Sequence, residues 1–201
     1  MKKLILDQKR GGIIHFVDHT NEISTLKGDA MITWEQNLAI GVYGADCSII
    51  VFWDDEKIGA CHAGWQGYSL GLVKRMAEQF QGGNCYVAPF MHSFEIKRDE
   101  CFQKITNYAG EKFLDFGKII TFDFRSAIMN ELSGVNIFLD HRNTFTDETL
   151  GSNRRGYLPE QENTQNRVYV WRYYNQVYYQ FLKPHEVSKD FFENWIKNHS
   201  G

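Results

Sequence analysis

Between residues 38 and 53 the chain is almost wholly apolar or small, interrupted only by Gly44, Asp46 and Ser48. The glycines in this run argue against a helix. Period and composition make it two buried strands, at 37–43 and 48–53, joined by a turn or bulge at Gly44-Ala45-Asp46-Cys47. A polar turn at 54–57 leads into a third short strand at 58–61. The Gly-bounded loop His62-Ala-Gly-Trp-Gln-Gly67 then opens a helix over 69–79, with Leu70, Val73, Met76, Ala77 and Phe80 on one face.

The elements keep alternating downstream. Strands are predicted at 85–89 and 135–139, and helices at 98–109 and 123–132, the latter starting on an acidic cap at Asp123. Residues 146–166 are polar, carry Arg154 and Arg155, and read as a long loop. Two aromatic-rich strands at 167–172 and 176–181 and a closing helix at 187–197 complete the chain. At 201 residues and 43% hydrophobic, the chain can build one core without disulfide or metal staples. With no repeat and no low-complexity linker, this order predicts a single α+β domain over 1–201, mixed β-sheets flanked by helices with a metal site at strand ends.

Charge and cysteine usage narrow the function. The 22 basic and 25 acidic residues give a net charge of -3, which argues against nucleic acid as the main partner. No apolar stretch approaches the roughly 20 residues needed to cross a bilayer, and the first residues lack a signal-peptide pattern. The expectation is a cytoplasmic protein with no membrane partner. Its 4 Cys are then expected as reduced thiols, ligands or nucleophiles.

Cys47 and His62 each end an apolar strand, and pairing of 48–53 with 58–61 across the 54–57 turn brings them to one open end of a hairpin. A thiolate and an imidazole on rigid strand ends suit Zn²⁺, whose catalytic sites generally take three protein ligands and leave one position open. His19 is the best placed third ligand, with His15 and His141 as rivals. The same pair equally reads as a Cys47 nucleophile with His62 as its base. The bland alternatives are a buried Cys and a hydrogen-bonded core His.

The wording of the turns adds a resemblance. Gly44-Ala-Asp-Cys47 followed by His62-Ala-Gly-Trp-Gln-Gly67 resembles the paired signature of the laccase-domain family, named for multicopper polyphenol oxidases and associated with purine nucleoside phosphorylase activity. Further similar segments are Val17-Asp-His19-Thr, Gly28-Asp-Ala-Met-Ile-Thr33, Phe94-Glu95-Ile96, Asp123-Phe124, Ser152-Asn-Arg154-Arg155 and Asn166-Arg167. The resemblance implies a zinc ion on His19, Cys47 and His62, phosphorolysis of purine nucleosides to free base and ribose-1-phosphate, and hydrolytic deamination of adenosine. It makes a nucleoside and phosphate the partners, Arg154, Arg155, Ser152 and Gln66 the phosphate or substrate residues, and Asp46 and Glu95 acid-base candidates beside Cys47 and His62. Copper-dependent phenol oxidation, a metal-binding protein without turnover, and a cysteine hydrolase using Cys47 and His62 are the alternatives. The sequence departs from the family pattern at Gln66, where Arg is usual, at Ile128, and at Ala88-Pro89-Phe90-Met91-His92; of the N-terminal segment only Lys9-Arg10-Gly11-Gly12 remains. The aromatic tail beyond Trp171 reads either as core strands with a packed helix or as a homodimer contact.

Overall fold

The structure is a computed structural model that describes residues 1–9, 11–21, 26–156, 165–186 and 191–199. In chain order the first strands are β1 (Lys2–Ile5), β2 (Ile14–Phe16), β3 (Ala30–Thr33), β4 (Leu38–Gly44), β5 (Ser48–Trp53) and β6 (Ile58–Ala63). Helices α1 (Trp65–Ser69) and α2 (Leu72–Gln79) follow, then β7 (Asn84–Val87), β8 (Phe94–Ile96) and α3 (Glu100–Ala109). After β9 (Leu114–Phe116) and β10 (Ile120–Phe122) come α4 (Phe124–Glu131) and β11 (Asn136–Leu139). The chain closes with β12 (Asn166–Tyr173), β13 (Gln176–Leu182) and α5 (Phe191–His199). The architecture is α+β with mixed sheets flanked by helices, as the sequence predicts.

Six strands in the order β11-β7-β5-β6-β3-β2 form the central sheet, and four in the order β1-β4-β12-β13 form a second. The long apolar run supplies β4 to one and β5 to the other. Along β5, Ile49 and Val51 pack with Ile40, Val42, Val168 and Val170 of the second sheet. Ile50 and Phe52 point the other way, into a core shared with α2 and α4. Covering both faces explains why the run lacks apolar-polar alternation. Each fully buried side chain of this size contributes about 1.5–3 kcal/mol.

The predicted hairpin forms, with Trp53 opposite Ile58 and Ser48 opposite Ala63. Asp54 sets its turn by accepting hydrogen bonds from the backbone N–H groups of Glu56 and Lys57 at 2.9 and 2.8 Å. The predicted helix at 69–79 is instead two: α1 already begins at Trp65, and Gly71, at φ +66°, ends the first turn before α2 starts. The left-handed backbone there cannot continue a right-handed helix. Asp99 caps α3 by accepting from Cys101 and Phe102, and Asp123 caps α4 by accepting from Ser126, as its place in the sequence predicts. The small antiparallel sheet β8-β10-β9 and the strands β1 and β2 have no counterpart in the sequence prediction.

The aromatic tail is core. β12 lies inside the second sheet between β4 and β13, and Trp171 packs with Phe192, Tyr178 and Trp195 on its outer face. Part of the predicted loop at 146–166 lies outside the described residues, as does the start of the predicted closing helix at 187–190. No helix among the described residues is long and apolar enough to cross a membrane.

Candidate active site

Pairing of β5 with β6 places Cys47 and His62 at the same end of the hairpin, where Ile49 faces His62 and the chain turns into α1. Cys47 is half-buried and His62 is buried, at 6% exposure. A Cβ added to Gly64 would stand 2.8 Å from the Cys47 Sγ, so the thiol lies directly against that glycine. Antiparallel β3 extends the same end of the sheet, with Ala30 opposite Cys61. One residue earlier, Asp29 is buried at 1% exposure and faces His62.

Asp29 is bonded to His62 twice. Its backbone carbonyl accepts the His62 N–H at 2.7 Å, and its Oδ1 lies 3.1 Å from the imidazole Nδ1. Its second oxygen, Oδ2, accepts the backbone N–H groups of Gly11 and Gly12 at 2.7 and 3.3 Å. Burial works against a charge on the His62 ring, yet the hydrogen bonds to Asp29 and to Cys47 outweigh it and push its pKa up to about 9. The imidazole is therefore cationic at neutral pH, with Asp29 at Nδ1 and the Cys47 thiol beside it. Cys61, one residue away, is fully buried and its thiol is pushed far up by burial. It is a packing residue, as its place in the strand suggests.

Asp46 turns away from this array. Its Oδ1 accepts the Thr144 hydroxyl at 3.0 Å and its Oδ2 accepts the Arg154 backbone N–H at 2.9 Å. Both oxygens hold the 144–156 segment against the end of β5, so Asp46, expected from the sequence as an acid-base group, anchors this segment. Arg154 itself is exposed, with its guanidinium 4.9 Å from the Phe94 ring centroid. Arg155 folds inward, its guanidinium bonded to the Leu150 carbonyl and its backbone N–H 3.4 Å from Oγ of the buried Ser152. Those two residues brace the loop from within. Glu95 is exposed on β8 between the buried Phe94 and Ile96, so its side chain faces solvent. Gln66 sits in α1, where its carbonyl accepts the Ser69 hydroxyl at 3.0 Å.

The expected third metal ligand is elsewhere. β2 runs parallel to β3, with Ile14 beside Ala30 and Phe16 beside Ile32, so the chain passes the site before it reaches His19. His19 lies beyond the Thr33 end of β3, where its Nε2 bonds the Gln36 carbonyl at 2.8 Å and stands 3.6 Å from Glu35. Cys47 and His62 are at the Ala30 end. The rival His15 bonds the Lys27 carbonyl at 3.0 Å, and His141 Nδ1 meets the Arg125 guanidinium at 3.0 Å. Among the described residues no group of three or more His, Cys, Asp or Glu side chains is arranged to hold a metal ion. A carboxylate behind an imidazole does also back metal-bound His. The donor set still stops at one thiol and one imidazole, one short of a three-ligand catalytic site.

The match to known proteins covers the same elements. The family model described as multi-copper polyphenol oxidoreductase laccase matches residues 1–158. The chain belongs to this family. Within the laccase family it is similar to a protein named purine nucleoside phosphorylase from Aquifex aeolicus, 46% identical over 50 residues, or 25% of this chain and 24% of that protein. A second protein of that name, from Clostridium acetobutylicum, is 39% identical over 72 residues, or 35% of this chain and 30% of that protein. The chain therefore matches less than a third of the length of these relatives. Among solved structures, the hypothetical protein YfiH of Bacillus licheniformis superposes with a TM-score of 0.66 at 21% identity, covering 76% of this chain and 68% of that one. YlmD from Geobacillus stearothermophilus superposes with a TM-score of 0.64 at 18% identity, covering 77% and 68%. These likenesses establish the fold.

Sequence reasoning missed Asp29 as a partner of His62, the Gly11 and Gly12 donors, and the contact of Gly64 with Cys47. Asp29 stands in a Gly-Asp pair that reads as a turn, and only the register of β3 against β6 shows that it faces His62.

Proposed function

We propose that the protein is a purine nucleoside phosphorylase in which His62 is the general acid. The observation that carries this reading is the buried imidazole bonded at Nδ1 to Asp29, with a pKa pushed up to about 9. Phosphorolysis needs a proton on the departing base and a cation at the incoming phosphate. A phosphate oxygen bonds the anomeric carbon, the glycosidic C–N bond breaks, and the His62 proton passes to the purine nitrogen. Arg154, presented on the loop that Asp46 anchors, is the cation on offer to phosphate. The name of the curated relatives supports the same reaction class.

No step in this scheme passes through zinc or copper, because the described residues bring together two of the three ligands that the resemblance implies. Adenosine deamination in that manner calls for a metal-activated water, and phenol oxidation calls for several clustered His; neither is part of the reading. Incubating the protein with inosine or adenosine, with and without phosphate, and separating the products by chromatography tests it. Free base and ribose-1-phosphate are expected only with phosphate, and to vanish in His62→Gln. No base from either nucleoside would overturn the reading.

A further inference from the structure

The end of the fold remote from His62 carries a second set of convergent groups. β5 runs from Ser48, next to Cys47, to Trp53, roughly 17 Å away by strand rise. There a groove of about 550 Å³ opens between the β5–β6 turn and the start of β13, and Trp53, Asp55, Asn84, Asn175 and Gln176 help to line it. A second groove, of about 480 Å³, adjoins it: Asn175 lines both, and Tyr174 and Gln36 belong to the second. In three of the amides the carbonyl oxygen is already engaged. Asn84 accepts from Asn136 at 3.4 Å, Asn175 from Gln36 at 3.3 Å, and Gln176 from the Tyr178 hydroxyl at 2.6 Å. Their NH2 groups meet no acceptor among the described residues and are what these side chains offer a ligand. The nearby cations are occupied. Arg172 donates to the backbone carbonyls of Asp54 and Asp55 at 2.6 and 2.7 Å, and Lys57 pairs with the Asp54 carboxylate at 2.9 Å. Neutral donors beside the exposed carboxylate of Asp55 suit hydroxyl groups and repel a phosphate or carboxylate ligand.

Each groove also has an aromatic wall. Trp53 stands in the first, braced by stacking with Tyr179 and Phe138 at 5.1 and 5.8 Å between ring centroids. Tyr174 stands in the second, 80% exposed at the tip of the β12–β13 hairpin. Its φ of +47° is a left-handed backbone that bulky side chains rarely adopt, and Asn175 follows at +62°. Two-residue turns with both central residues left-handed favour Asn, Asp or Gly. A tyrosine there costs stability and leaves most of its ring in solvent, so the strain points to a use for the ring. We propose that the two grooves bind a neutral oligosaccharide of about two or three rings, with Tyr174 and Trp53 as stacking platforms. The C–H face of a sugar lies flat on an aromatic ring while its edge hydroxyls reach polar side chains. The NH2 groups of Asn84, Asn175 and Gln176 donate to hydroxyl oxygens, and Asp55 accepts from hydroxyl protons. This site shares no residue with the His62 array, so it stands independently of phosphorolysis.

The test titrates the full chain, isotope-labelled for amide NMR, with cellotriose, maltotriose and chitotriose separately, up to about 10 mM. At least one is expected to bind with a dissociation constant of about 1 mM or tighter. The shifted amides should gather at 36–37, 53–55, 84 and 173–177, with none at 61–64. Tyr174→Asn and Gln176→Ala should each weaken that binding about 5-fold. Asn tolerates the left-handed turn, so Tyr174→Asn should melt at or above the wild-type temperature; should Gln176→Ala unfold, Tyr174→Asn decides. Glucose-6-phosphate and inosine serve as comparators for a charged ligand and a purine. The proposal is overturned if none of the three trisaccharides shifts these residues, if the shifts map to the His62 end, or if folded Tyr174→Asn binds as wild type does. It is equally overturned if glucose-6-phosphate or inosine occupies the grooves more tightly than every trisaccharide.

Discussion

Asp29 and His62 meet through both backbone and side chain, at 2.7 and 3.1 Å, although 33 positions separate them in the chain. Neither residue stands alone: Gly11 and Gly12 fix the carboxylate, and the end of β5 brings the thiol. The site is thus assembled from four segments that the central sheet brings together.

That pairing makes stability depend on pH. His62 titrates at about 9 when folded and at about 6.5 in an unfolded chain. A raised pKa means that protonated His62 stabilises the fold, fully below about pH 6.5, with the contribution lost as pH rises through about 9. For so buried a group its size is on the order of a few kcal/mol. Urea unfolding of metal-free wild type and Asp29→Asn should show a gap that is widest in mild acid and narrows on the alkaline side. A gap that stays constant with pH would contradict the assignment.

Asp46 offers a separate handle. Both of its oxygens are acceptors, for Thr144 and for Arg154, and an amide can replace only one of them before its own N–H groups face a donor. Asp46→Asn is expected to cost about 1–3 kcal/mol and to loosen the segment that presents Arg154. Trypsin should then cut after Arg154 or Arg155 several-fold faster, with a higher KM for phosphate. Unchanged proteolysis would show that the loop is held by other contacts.

How far the sequence speaks depends on where each element finds its partners. β4, β5 and β6 are legible because their residues are buried on both faces and the turn residues Asp54 and Lys57 mark the hairpin. β9 and β10 are three residues each and exist through mutual pairing, so their own sequences carry no periodic signal. Cys47 with His62 follows from the hairpin alone. His19 does not join them because its position is set by the parallel pairing of β2 with β3, a long-range register that sequence spacing does not encode. Asp29 is hidden for the same reason, and its resemblance motif marks it without saying what it touches.

The tail supplies a stability test away from the chemistry. Trp171 is 1% exposed and meets Trp195 and Phe192 edge-on at 5.0 and 5.2 Å between ring centroids. Trp171→Ala should cost about 3–5 kcal/mol, read as a lower melting temperature. Because the ring lies on the outer face of the second sheet, reactivity of Cys47 in the remaining folded protein should match wild type. Altered Cys47 reactivity at a temperature where the variant is folded would show that the tail reaches the site.

Gly64 separates space from backbone strain at the Cys47 thiol. Its φ of -80° is open to any residue, so no left-handed conformation demands glycine there. The demand is room: an added Cβ would sit 2.8 Å from the Cys47 Sγ and 3.8 Å from its Cβ, with the first contact too short to keep. Gly64→Ala must therefore push the thiol off its present position beside His62 or shift the start of α1. Overpacking of this kind costs about 1–3 kcal/mol, but the sharper effect should fall on Cys47. Its alkylation by iodoacetamide, mapped by mass spectrometry, should slow several-fold in the native variant and match wild type in denaturant. Equal native rates would mean that the thiol has freedom to move, and the tight contact between Gly64 and Cys47 would then have no bearing on reactivity.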